Sequence, residues 1–381
     1  MRPAKITSLL LCIALLLGMC GCGSKNVVMN TGFGNGTEPV SSMELSYANE
    51  FSADYYEDGC RLLTVNDDNR FLVVPEGVQT PSGISDDIVV LRQPIENIYL
   101  VAAAAMSLIE SVGGLEQVRL SGTQTDKWYN VNVRAAMEKG DILFAGKYSE
   151  PDYELILNRG CSLAIESTMI YHTPEVREKL ESLGIPVFVE RSARETHPLG
   201  RTEWIKAYGV LLGKEEEAQR LFDEQVALMN EAMTGEKTGS TVAFFHISTS
   251  GYAVARKSGD YVAKMIGLAG GEYIFSDLGE SETATATVAL EMETFYATAN
   301  EADFIIYNAT IAGELQTLDE LLAINSLMES FKAVQNGNVW CTDQNLYQET
   351  MALGSMVLEM NQILTSDDPD GLNLTYFYRL K

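Results

Sequence analysis

Lys214 to Thr234, KEEEAQRLFDEQVALMNEAMT, is the stretch from which the rest of the chain can be laid out. Its apolar residues Ala218, Phe222, Val226, Met229 and Met233 recur at steps of three and four, the spacing that lines one face of an α-helix. Gly213 stands where a preceding helix, read as Thr202 to Leu212, needs a left-handed terminal residue. Glu215, Glu216 and Glu217 then bring negative charge to the amino end of the new helix. The turn-forming run Thr234 to Ser240 follows, and a fresh strand, Thr241 to Ile247, restarts a strand–helix pattern. The spacing therefore predicts a single long helix, 214–234, joining two α/β lobes at 86–213 and 240–381.

With 381 residues, 46% of them hydrophobic and 21% charged, the chain can bury two cores of ordinary size. Its start is different in kind. Arg2 and Lys5 precede the apolar run Ile6 to Met19, which is short for a membrane span but fits the hydrophobic region of an export signal. The sequence LLGMCGCGSK resembles the lipobox of bacterial lipoproteins, which places a small residue before the modified cysteine. Gly21 precedes Cys22 whereas Met19 precedes Cys20, so lipidation is expected at Cys22, with Cys20 the alternative and residues 1–21 the signal peptide. Residues 22–46, rich in Gly, Ser, Asn and Thr, have the composition of a flexible tether. The expected location is outside the cell, held to the membrane by the lipid.

The formal net charge of −26 argues against nucleic acid and against adhesion to anionic lipid, while leaving a small ligand open, since a cleft can differ in sign from the surface around it. Cys60, Cys161 and Cys341 are too widely spaced to imply a disulfide framework or a CxxC metal site.

Arg61 to Val65 and Phe71 to Val74, separated by Asn66-Asp-Asp-Asn69, read as a β-hairpin, so residues 47–85 are expected to extend the first lobe. The lobe itself is expected to begin with the strand Ile88 to Leu91 and a helix from Ile98 to Val112, closed by Gly113-Gly114. Strands follow at Val118–Ser121, Ile142–Ala145, Leu163–Ser167 and Val187–Val189, alternating with helices at Val131–Lys139, Tyr153–Arg159 and Pro174–Leu183. The second lobe repeats the plan with strands Thr241–Ile247, Phe304–Asn308 and Val339–Cys341 and helices Gly259–Ala269, Leu318–Ser326 and Tyr347–Leu364. Such alternation predicts mostly parallel sheets with helices on both faces.

Taken together, PIENIYLVAAAAMSLIESVGG, GKYSEPDYELILNRGCSLAIEST, TVAFFHISTSGYAVARKSGDYVAKMIGLAGGEYIF and TATVALEMETFYATANEADFIIYN resemble one family, the ABC-transporter substrate-binding proteins that take up iron–siderophore complexes, haem and cobalamin. The resemblance runs from about Ile88 to Leu364 and rests on the order and spacing of segments rather than on one signature. It implies two lobes joined by one long helix, a cleft between them, little closure on the ligand, and no enzymatic activity. It also implies one exposed Glu on each lobe that docks to an ABC permease served by a cytoplasmic ATPase. Glu154 matches the first docking position and Glu293 the second, with Glu291 left open because the segment before Ala302-Asp303 is longer than the family pattern.

Ligand contacts are expected from loops that follow strands. Tyr148, Tyr171, Tyr252, Trp340 and Tyr347 offer flat apolar area with a polar tip, and Arg92, Arg191, Arg194 and Arg256 can clamp an anionic group. His172, His197 and His246 also fall at strand ends, which keeps haem ligation and bare zinc or manganese binding as alternatives. The sequence holds no GxSxG elbow, GxxxxGK[ST] loop, HExxH helix or GxGxxG opening a first helix. The expectation is a monomer without an intrinsic cofactor that binds a whole ferric chelate, with cobalamin or haem as the alternative cargo.

Overall fold

The computed structural model describes residues 37–66, 69–235, 237–278 and 287–381; Cys20 and Cys22 lie outside them. The helix that organises the chain spans Glu215–Thr234, about 30 Å at 1.5 Å per residue. Gly213 closes the helix Ile205–Leu212 in the left-handed region at φ 68°, as its sequence position requires, and the Lys214 N–H donates back to the Gly209 carbonyl at 2.7 Å. Ala218, Phe222, Met229 and Ala232 are buried, but Met233 is 42% exposed. The stripe ends on Ala232 because fifteen steps of about 100° from Ala218 carry Met233 about 60° past the starting face.

Two close approaches fix how this linker packs. At Gly209 a side chain would stand 2.7 Å from the Ala218 Cβ, and at Gly354 it would run into the Gln225 carbonyl oxygen. Glycine lets the helices Ile205–Leu212 and Leu353–Thr365 lie directly against the linker. One continuous apolar core then runs from the first lobe through Phe222 and Met229 into Met356, Met360 and Ile363 of the second.

The sheet of the first lobe is wholly parallel, in the order Val187–Glu190, Ala164–Ser167, Ile98–Leu100, Val118–Ser121, Leu143–Phe144. Two expectations change here. The strand Ile88–Arg92 does not open this sheet; it pairs in parallel with Asn69–Val74 and completes a separate five-stranded sheet with Ser41–Ser42, Phe51–Tyr55 and Arg61–Val65. The lobe's opening strand is Ile98–Leu100, read from sequence as the start of the helix, and the helix begins only at Ala103.

The tether is also shorter than its composition suggests, because Ser41 and Ser42 already pair with Tyr55 and Asp54. Residues 44–50 then form a strap across the helix Pro198–Glu203. Glu203, with no exposed surface, accepts hydrogen bonds from the N–H groups of Ser46 at 2.9 Å, Tyr47 at 2.8 Å and Ala48 at 2.8 Å. Glu195 does the same for Asn49 and Glu50, each at 2.9 Å. Lys206 closes the charge balance, 2.9 Å from Glu203, and the Tyr47 ring rests edge-on against Phe222 of the linker.

In the second lobe the parallel strands Thr241–Ile247, Phe304–Tyr307 and Val339–Thr342 form the centre, and antiparallel strands finish both edges. Ala253–Arg256 and Thr287–Leu290 lie beyond the first of these, and Phe377–Arg379 lies beyond the last. Alternation along the central strand sends Ala243, Phe245 and Ile247 into the lobe's own core and Val242 and Phe244 toward the shared one. His246, Arg256 and Asn308 therefore belong to the face turned toward the shared core.

Candidate ligand cleft

Open parallel sheets present ligands at the carboxyl ends of their strands, and in this molecule those ends meet. Gln348, which follows the strand Val339–Thr342, accepts from the Tyr129 N–H at 2.9 Å and donates to the Lys127 carbonyl at 2.8 Å, both in the segment that follows Val118–Ser121. The two lobes thus face each other across their strand-end loops.

The second lobe's side of that space holds a cavity of about 380 Å³ lined by Phe244, His246, Val254, Arg256, Thr287, Asn308 and Ile311. Arg256 is its charged wall. The guanidinium donates to the Tyr347 hydroxyl, lies 4.8 Å from that ring's centroid, and stands 3.6 Å from Asp260. Burial works against its charge, but the Tyr347 hydroxyl and the Asp260 carboxylate outweigh burial and hold its pKa above the ordinary value. Asn308 Nδ2 donates to the same Tyr347 oxygen at 2.9 Å, and the Tyr273 hydroxyl fixes the Arg256 carbonyl at 2.7 Å. Neighbouring His246 is driven the other way, first by burial and then by the charge of Arg256, so its imidazole is neutral at pH 7. The wall combines a fixed cation, a neutral imidazole, an amide and a phenol, a donor set suited to an anionic or carbonyl-bearing ligand.

The mouth of the cleft is apolar on both sides. Met169 and Tyr171 of the first lobe and Tyr252 and Ile311 of the second are all exposed. Tyr148 is half-buried after the strand Gly146–Lys147, and Arg194 is exposed in the turn after Val187–Glu190. Arg191 is already engaged, with its Nε 2.6 Å from Glu50 and the Tyr171 hydroxyl as a further partner.

Three candidates are placed differently from expectation. Arg92 ends a strand of the separate N-terminal sheet and precedes Ile98, so it sits at the amino ends of the lobe's parallel strands, away from the cleft. Trp340 is 2% exposed in the shared core and offers no face to a ligand. Arg256 lies on a strand, not in the loop from which it was read. The histidines do not converge either: His172 is exposed, His246 is buried on its strand, and His197 caps the helix Pro198–Glu203 by accepting from the Leu199 N–H at 3.1 Å while stacking on Tyr47. Among the described residues no group of three or more His, Cys, Asp or Glu is arranged to hold a metal ion.

Sequence reading missed Asn308, Thr287 and Arg201. Arg201 reaches from the first lobe to lie 3.7 Å from the centroid of the second lobe's Tyr261 ring, with its N–H groups on the carbonyls of Glu195 and Ala193. Its only sequence signal was a basic residue in a glycine-containing lead-in to a helix. Glu154 and Glu293 are each exposed and each occupy the second residue of a helix, Tyr153–Asn158 and Met292–Ala299. Glu291 is the residue before its helix, the counterpart of Asp152.

The sequence profile of the periplasmic binding protein family matches residues 101–346, which runs from the first lobe through the linker into the second and leaves out only the strands Ile98–Leu100 and Phe377–Arg379 of their sheets. The chain belongs to this family. An uncharacterized lipoprotein of Methanocaldococcus jannaschii is 26% identical over 97% of this chain and 95% of its own length. Among solved structures, the periplasmic haem-binding protein of Vibrio cholerae covers 70% of this chain and 98% of its own at a TM-score of 0.57 and 18% identity. A protein of the Fe3+-hydroxamate transport system from Saccharomonospora viridis covers 72% and 94% at a TM-score of 0.56 and 16% identity. The fold expected from sequence is thus the family's fold, with two α/β lobes on one helical linker. Its members are binding proteins of ABC importers rather than enzymes.

Proposed function

We propose that this protein captures a metal chelate of the ferric-siderophore type between its lobes and delivers it to an ABC permease. The observation that carries the reading is the Arg256 wall: a cation held by Tyr347 and Asp260 beside a neutral imidazole, below a mouth lined by Met169, Tyr171, Tyr252 and Ile311. An anionic chelate with aromatic or aliphatic faces fits both, binding whole, with no protein side chain completing the metal's coordination shell. Haem is the second reading, favoured by the exposed neighbours Tyr171 and His172 at the cleft mouth, either of which can ligate iron.

Delivery rests on Glu154 and Glu293, whose matching helix positions and exposure suit paired docking to a two-fold permease, and Cys22 supplies the lipid that keeps the protein at the membrane. The deciding experiment is titration of the purified protein with ferric chelates, haem, corrinoids and bare metal salts, followed by absorbance. Chelate binding should weaken roughly tenfold to a hundredfold in Arg256→Ala, the loss of one charge-assisted contact. Binding of bare zinc or manganese in preference to every chelate would overturn the reading, and a haem spectrum altered by Tyr171→Phe or His172→Ala would move it to the second.

A further inference from the structure

The segment 348–351 forms a hydrogen-bonded seam between the lobes. Besides Gln348, the Met351 N–H donates to the first lobe's Ser107 Oγ at 3.3 Å, and the Thr350 carbonyl accepts from Thr202 Oγ1 at 3.0 Å. Glu349 sits in the middle of this seam. Opposite it is Glu110 of the first lobe, near the end of the helix Ala103–Ser111, with Asn130 between them. Asn130 Nδ2 donates to Glu110 Oε2, Asn132 Nδ2 donates to Glu110 Oε1 at 2.6 Å, and Asn130 also bonds Glu349. The charges that reach Glu349 are both negative, from Glu110 and from Asp343. Lys127, whose carbonyl is part of the seam, has its ammonium 3.6 Å from Asp126. Tyr376, the other titratable neighbour, has its hydroxyl pushed up to about 12 by burial and then by Glu349, so it stays neutral here.

We propose that Glu349, facing the Glu110 carboxylate across Asn130, is a proton-operated latch between the lobes, closed when the Glu349 carboxyl is protonated and loosened when it is charged. Two like charges drawn out of water on facing surfaces repel at a distance where one proton removes the repulsion. Burial, then Glu110 and Asp343, push the Glu349 carboxyl up to about 7 when the seam is formed, while separation returns it toward the ordinary 4.5. The closed form therefore binds the extra proton, and closure is favoured as pH falls through about 7 and lost as pH rises through it. The latch belongs to the ligand-free protein and does not depend on the identity of the cargo.

Hydrogen exchange on the full-length protein reads the seam directly, because the Tyr129 and Met351 amides donate across it. After correction for intrinsic rates, protection of both should rise about tenfold between pH 8 and pH 6, the change expected for one linked proton. In Glu349→Gln protection should be high and independent of pH, and in Glu110→Gln the rise in protection should shift to lower pH, because burial and Asp343 still act on Glu349 once the Glu110 charge is gone. Wild-type protection that does not change with pH, or a wild-type slope retained in Glu349→Gln, overturns the latch.

Discussion

Two glutamates of the first lobe, Glu203 and Glu166, are equally and completely buried, yet their surroundings are opposites. Glu203 is wrapped by three backbone N–H groups of the strap and by Lys206. Neither carboxyl oxygen of Glu166 has a hydrogen-bond partner, and burial pushes its pKa up to about 8. The same side chain at the same depth is an ion that organises structure in one place and a neutral acid in the other. Burial alone does not decide the state of a carboxylate; the supply of donors does.

The comparison can be broken most forcefully at Glu203. Glu203→Ala strands a buried lysine and the strap's amides, and should cost about 3–5 kcal/mol in a urea unfolding titration. A loss below about 1 kcal/mol would mean that the strap's donors find water just as readily. Glu166 should instead reveal itself through pH. Its unfolded value is near 4.5 and its folded value about 8, so between these limits the folded state holds more protons and stability falls as pH rises. The slope approaches about 1.4 kcal/mol per pH unit, so the total across that window is on the order of 4–5 kcal/mol. Glu166→Gln should flatten this slope across the same window, and an unchanged slope would place the titration elsewhere. The mildest change is Glu195→Gln, since an amide oxygen can still accept from Asn49, Glu50 and the Trp204 indole N–H. The expected cost is about 1 kcal/mol, the difference between charged and neutral acceptors, seen as a small drop in Tm.

What sequence reading recovered follows from how local each signal is. The linker's periodicity, the Gly213 stop and the strand Thr241–Ile247 are written within single stretches of chain and stand where expected. The boundary at Ile98 was not legible, because Ile-Tyr-Leu-Val runs into four alanines without a polar break and only pairing with Ala164–Ile165 on one side and Val118–Ser121 on the other makes it a strand. Ile88–Arg92 likewise shows a strand's composition but not its partner, and its pairing with Asn69–Val74 moved Arg92 away from the cleft. At Trp340 all four residues of the strand are buried, so alternation could not tell a core ring from a cleft ring. Arg256 was identified for its charge, whereas the hairpin that carries it turns at Gly251 and depends on pairing with Phe245–Ile247. Arg201 depends on a contact between lobes, which no local pattern records.

The strap also determines where tension enters the molecule. Residues 41–50 are fastened by the pairing of Ser41 and Ser42 with the N-terminal sheet and by Glu203 and Glu195 beside the linker, all on the first lobe's side. A pull on the chain ahead of Ser41 is therefore delivered close to the fulcrum, with almost no lever arm acting on the second lobe. A load applied at that end is thus carried by the first lobe's own sheet and helix and does not pass through the loops that form the cleft.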